Sequence, residues 1–139
     1  MGTWGYGPFD NDTAADWMAD LEEAGRRERI TMVREVLKAT VAEEEFLDGA
    51  LAAEAIAAAT VVAALLPGGE ELESGFDEDI FGEPDDNGPH VPEDLPGLAQ
   101  AALDRALGGD SEWVKMWLDS GEIDNALAEL DPIREILGS

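Results

Sequence analysis

The sequence predicts an all-α, single-domain bundle of five to six helices around a central Ala-rich helix, with a long acidic loop. Three observations carry this. Apolar residues recur at helical spacing, i, i+3, i+4 and i+7, in successive segments of the 139-residue chain. One stretch, Gly49 to Leu66, is apolar on nearly every side and mostly Ala, the pattern of a helix at the middle of a bundle. No segment reads convincingly as a strand, and there is no internal repeat or sustained heptad.

The elements follow in order. The first dozen residues are Gly-rich with Trp4, Tyr6 and Phe9 interleaved, which suits a compact turn whose aromatics plug into a core. Asp10-Asn11-Asp12-Thr13 offers several N-caps, and Thr13 with Asp16 has capping-box spacing. The first helix turns Ala14, Trp17, Met18 and Leu21 inward and ends at Gly25. A second runs from Arg26 into the 40s, with Ile30, Val33, Leu37 and Val41 as its apolar stripe and Arg27, Arg34 and Lys38 opposite. Glu43-Glu44-Glu45 marks its end, and Asp48-Gly49 breaks the pattern. The third helix spans Ala50 to Leu66 and stops at Pro67-Gly68-Gly69.

Residues 68–94 form a Gly- and Pro-rich loop with eleven acids and no base. Loops this long are uncommon unless functional or disordered. Phe76, Ile80 and Phe81 are its candidate anchors. The fourth helix, Pro96 to Leu107, faces Leu98, Ala102 and Leu103 inward and closes at Gly108-Gly109. Asp110 or Ser111 caps a fifth, which places Trp113, Met116 and Trp117 on one side. Gly121 interrupts it, and Ile123, Leu127 and Leu130 continue a helical period to Asp131. Pro132 suits the first turn of a last short helix carrying Ile133, Ile136 and Leu137.

Charge is the strongest functional signal. The chain has 33 Asp and Glu against 8 Lys and Arg, for a net charge of −25, yet its apolar fraction of 45% is ordinary for a folded protein. The charge is uneven. Residues 1–38 set eight acids against five bases, residues 39–104 hold seventeen acids and no base, and residues 105–139 set eight acids against three bases. A halophilic or generally acidic proteome, or a merely solvated surface, would account for the total. Segregation looks more like a face or a loop with a job. Such a region repels nucleic acid and anionic lipid and attracts cations or basic proteins. The absence of Cys removes disulfides and thiolate chemistry. The N-terminus lacks the basic and apolar regions of a signal peptide. The Ala-rich run contains Glu54 and has acidic flanks, so it reads as a buried helix of a soluble, cytoplasmic protein and not as a membrane span.

The leading expectation is a non-enzymatic binding protein that engages a basic protein surface, as an immunity protein, inhibitor or DNA mimic would. Its partner would be a toxin or a nucleic-acid-binding enzyme, met by Glu70, Glu71, Glu73, Asp77, Glu78, Asp79, Glu83, Asp85 and Asp86. A divalent-cation protein is the alternative. Glu83, Asp85, Asn87 and Asp94 have the first, third, fifth and twelfth places of a calcium loop, with Gly88 at the sixth. Three departures stand against it: Glu at the first place, Asp at the last, and Pro84, Pro89 and Pro92 between. A third class is an enzyme with an unlocated carboxylate site, because 33 acids make any pair uninformative. No catalytic residue is assigned, and Ca2+ is the one cofactor considered. The lone His90 reads as an exposed loop histidine, without the co-ligands of a zinc site. Gly5-Tyr6-Gly7 and Gly68-Gly69 lack the Lys of a phosphate loop. The bases of the second helix are mixed with Glu28 and Glu35, which disfavours nucleic-acid binding. Trp113 and Trp117, one turn apart, read as core packing, with a binding hot spot as the alternative.

The opening string Met1-Gly2-Thr3-Trp4-Gly5-Tyr6-Gly7-Pro8-Phe9-Asp10-Asn11-Asp12, followed by the helix bearing Asp16-Trp17, resembles the N-terminal signature of the family called domain of unknown function 4259. The Ala-rich segment from Glu54 to Ala64 is similar to the family's middle part, although many members carry an acid where this chain has Thr60. The resemblance covers about the first two-thirds of the chain. It implies a small, mainly helical bacterial protein and no particular activity. Of the signature residues Trp4, Gly5, Gly7, Pro8, Phe9, Asp10, Asn11 and Asp12, two readings stand: they line a site, or Trp4, Pro8 and Phe9 lock the N-terminus against the bundle.

Overall fold

The computed structural model describes residues 12–66, 69, 81 and 91–138, and these form six helices with no strand among them. They are α1 (Asp12–Glu23), α2 (Arg26–Ala42), α3 (Gly49–Ala64), α4 (Leu95–Ala106), α5 (Glu112–Ser120) and α6 (Ile123–Leu137). Helix α3 packs against each of the other five. Eleven of its residues are buried, from Ala52 to Ala63. Small Ala side chains let neighbouring axes approach closely, and Ile56, Val61 and Val62 fill the gaps. The Ala-rich run is therefore the hub of the bundle, as its composition predicts.

Helix α1 buries Ala14, Trp17, Met18 and Leu21, the four expected positions. It already includes Asp12 and Thr13, so Thr13 lies inside the helix and is not its cap. Gly25 precedes α2 with an ordinary φ of −70°. The two helices are tied by Arg29, whose guanidinium donates to Leu21 O at 3.0 Å and Glu22 O at 2.7 Å at the end of α1. A cation there satisfies orphan carbonyls and complements the helix dipole.

In α2 the inward stripe holds at Val33 and Leu37 and then drifts. Thr40 is fully buried, whereas Val41 is 43% exposed. An α-helix turns 100° per residue, and a stripe read at i+4 slides off the contact line by the fourth turn. Burial of Thr40 is tolerated because its Oγ1 donates to Val36 O at 2.9 Å. Thr60 uses the same device, donating to Ile56 O at 2.8 Å.

Asp48-Gly49 starts α3 where the sequence suggested only a break. Asp48 Oδ2 accepts from Ala50 N at 3.0 Å and Leu51 N at 3.4 Å. Glu112 Oε1, from α5, accepts from Gly49 N at 2.9 Å. Two carboxylates thus satisfy the first three N–H groups of the helix. At its far end α3 stops at Ala64, and Gly69 packs so tightly that a Cβ would overlap the Ala63 carbonyl oxygen. Of the three candidate anchors, Phe81 is buried in the core, while Phe76 and Ile80 lie outside the described residues.

Helix α4 begins at Leu95 and buries Leu95, Ala99, Ala102, Leu103 and Ala106, leaving Leu98 half-buried. Ser111 occupies the cap position of α5 but makes no cap bond, and its Oγ is buried without a partner. Trp113 is core; Trp117 is half-buried, with the rings edge to face at 6.1 Å and 62°. Met116, expected beside them, is 48% exposed. Gly121 adopts φ +78°, the left-handed conformation that glycine takes without penalty, and Gly121 N and Glu122 N close a Schellman turn on Leu118 O and Trp117 O. Past it, α6 is one helix and not two. Pro132 sits inside it, exposed, while Ala126, Leu130, Ile133 and Leu137 bury a single stripe through it. Loss of one backbone hydrogen bond at Pro132 is outweighed by burial, where each large side chain contributes about 1.5–3 kcal/mol.

Candidate functional site

The contacts fix two ends of the bundle. Arg34, at the middle of α2, reaches Asp94 at the start of α4. Arg105, at the other end of α4, reaches the loop after α2. The acidic stretch follows Leu66, just past the end of α3, and continuous described chain resumes at Val91, at the first end; the α2–α3 loop lies at the second.

The expected partner-binding carboxylates Glu70, Glu71, Glu73, Asp77, Glu78, Asp79, Glu83, Asp85 and Asp86 lie outside the described residues. So do Trp4, Gly5, Gly7, Pro8, Phe9, Asp10 and Asn11 of the signature; Asp12 begins α1 and is exposed. Of the calcium-loop set, Glu83, Asp85 and Asn87 lie outside as well. Asp94 is described. Arg34 Nε donates to its Oδ2 at 2.8 Å and Arg34 Nη2 to its Oδ1 at 2.9 Å, a two-point clamp on both oxygens. That hydrogen-bonded guanidinium holds the Asp94 carboxyl below the usual aspartate range. A cation taking Asp94 as its twelfth-place ligand would compete with Arg34 for the same lone pairs. Among the described residues no group of three or more His, Asp or Glu is placed to hold a metal.

The α2–α3 loop is the described part of the base-free span with the most defined geometry. Leu47 N donates to Asp110 O at 2.7 Å, and Glu112 N donates to Leu47 O at 2.9 Å, a parallel bridge to the turn before α5. Beneath the loop, Arg105 donates to Glu43 O at 3.2 Å, to Glu45 O, and to Asp110 O at 3.3 Å. Glu43 Oε1 accepts from Glu45 N at 3.1 Å. Leu47 is fully buried, so the alternate residue Phe46 points away and is 51% exposed. Around it Glu44, Glu45 and Asp48 are exposed. Nothing in the helical periodicity marks Phe46 as different from any loop residue; its exposure follows from the burial of Leu47.

Two further carboxylate environments stand out. Glu54 on α3 is half-buried, and burial with the nearby charges of Asp48 and Asp20 pushes its carboxyl above the usual glutamate range. A cleft of about 360 Å³ between α4 and α6 is lined by Asp104, Asp131, Arg134 and Glu135 around Leu103 and Leu137. Arg134 stands 3.8 Å from Asp104 there, a loose surface pair.

Fold and surface together define a small, strongly acidic helical bundle built on a central Ala-rich helix. The family model described as Domain of unknown function (DUF4259) matches residues 2–129, so the chain belongs to that family. The match extends beyond the first two-thirds on which the resemblance rests. No curated protein and no solved structure matches the chain. Among the described residues no helix is long and apolar enough to cross a membrane; α3 is apolar because it is the hub.

Proposed function

We propose that this is a non-enzymatic binding protein of the bacterial cytoplasm that engages a basic protein surface, as an immunity protein, an inhibitor of a nucleic-acid-binding enzyme or a DNA mimic does. One observation carries the reading: the excess acid has no internal counterpart. Even one-to-one pairing of all 8 bases would leave 25 of the 33 carboxylates. Moreover, Arg105 donates to backbone carbonyls. Uncompensated charge of one sign raises the on-rate for an oppositely charged partner and selects against acidic ones. The contact set is Glu70, Glu71, Glu73, Asp77, Glu78, Asp79, Glu83, Asp85 and Asp86.

The test is binding and inhibition against a panel of basic nucleases and toxins across a salt series. Selective binding should weaken steeply with salt, and converting the three glutamates at 70, 71 and 73 to Gln should slow association. A chain that binds every basic protein no better than it binds polylysine, or that shows no salt dependence, contradicts the proposal.

A further inference from the structure

We propose that the α2–α3 loop, with Phe46 at its crest, is a docking surface for a protein that offers an apolar pocket ringed by Lys or Arg. This goes beyond the acidic segment, because the loop lies at the opposite end of the bundle from Leu66 and Val91, where that segment departs and returns.

Three observations support it. The first is exposure on a braced backbone. Phe46 is 51% exposed, whereas the residues beside it are tied down at Leu47 N, Leu47 O, Glu43 O, Glu45 N and Glu45 O. An aromatic side chain on a rigid loop loses little freedom when it enters a pocket, which is why such residues dominate binding energy. Val41, in the last turn of α2 and 43% exposed, adds a second apolar side chain at the same end. The second is charge. Glu44, Glu45 and Asp48 are exposed around Phe46, and no base among the described residues forms an ion pair with any of them. Arg105 donates to carbonyl oxygens and so braces the loop, and it forms no ion pair with Glu44, Glu45 or Asp48. The third is exclusion of self-pairing. A second copy docking here would set these acids against a chain of net charge −25, which like-charge repulsion opposes. The complementary occupant is an apolar pocket with a basic rim.

Two peptides test this: a helical peptide of Leu and Lys, and a matched one with Ser for every Leu. Titrated into the intact protein and followed by amide chemical shifts, the Leu peptide should bind about tenfold tighter than the Ser peptide, with shifts centred on residues 43–48. Phe46→Ser should erase that ratio while leaving the melting temperature and the Ser peptide's affinity unchanged. Glu44→Gln with Glu45→Gln should weaken both peptides. A ratio that survives Phe46→Ser, or shifts that avoid the loop, overturns the docking surface and leaves the acidic-binding reading standing. Failure of both peptides to bind at low salt overturns both.

Discussion

Gly49→Ala should destabilise this protein, although alanine is the better helix former. A Cβ on Gly49 would lie 2.5 Å from Glu112 Oε1, the oxygen that accepts the Gly49 N–H at 2.9 Å. The carboxylate is the far end of a flexible side chain, so it swings into solvent and no backbone need move. What is lost is one charge-assisted hydrogen bond, about 1.5–3 kcal/mol at most, at a helix N-terminus where a carboxylate is favoured. What is gained is helix propensity, about 0.5–1 kcal/mol in a helix interior and less in the first turn. The net is a loss of about 1 kcal/mol, or about 3–4 °C in melting temperature for a chain of this size. The diagnostic measurement is a double-mutant cycle with Glu112→Ala, read by urea unfolding. With Glu112 gone, Gly49→Ala should be neutral or stabilising, giving a coupling of about 1.5 kcal/mol between the positions. Additive effects, or stabilisation by Gly49→Ala in the unmodified protein, would refute the capping argument.

Other expectations follow from single groups. Glu54→Gln should raise the melting temperature at pH 7, because the Glu54 carboxyl is pushed up in the fold and its ionised form is the disfavoured one. The sign is that of an acid that binds its proton more tightly when folded: its contribution is best at low pH and is lost as pH rises from the ordinary glutamate value, about 4.3, through the raised one. A Gln advantage that persists undiminished below about pH 4 would rule this out. Ser111→Ala should be neutral or stabilising by up to about 1 kcal/mol, since the hydroxyl is buried without a partner; a clear loss in thermal unfolding would mean that it has one. Calcium and magnesium at equal concentration should stabilise the protein equally, because Arg34 clamps both oxygens of Asp94. A calcium-selective rise in melting temperature that Asp94→Asn abolishes would instead establish a calcium loop.

Much of the fold was legible because burial leaves a period in the sequence. Ala14, Trp17, Met18 and Leu21 point inward as their spacing requires, and the Ala-rich run is the hub because it is apolar on nearly every side. The misreadings share a cause: each depends on a neighbour distant in sequence. Thr40 replaces Val41 because the contact line with α3 and α4 decides the register, and a threonine can return its hydroxyl to the backbone. Pro132 fails to divide α6 because Ala126, Leu130, Ile133 and Leu137 gain more by staying in line than one missing N–H costs. Glu112 caps a helix 63 residues away in sequence, a pairing no local motif announces.

The candidate surface shows the same division. Charge is additive along a chain, so the base-free span from residue 39 to 104 is visible without coordinates. The position of an apolar anchor is not additive. Of the adjacent apolar pair Phe46 and Leu47, the bridge to Asp110 and Glu112 draws Leu47 inward. That one choice turns Phe46 outward, because successive side chains on extended backbone point to opposite sides. Arg105 then makes the choice permanent by holding the carbonyls at 43 and 45 from below. A base that donates to carbonyls fixes the loop without forming an ion pair with the Glu44 and Glu45 carboxylates beside it. If Arg105→Met loosens the loop, amide exchange at residues 45–47 should speed up while α3 stays protected. Such a result would tie the rigidity of the exposed aromatic to a base that bonds carbonyls and not carboxylates.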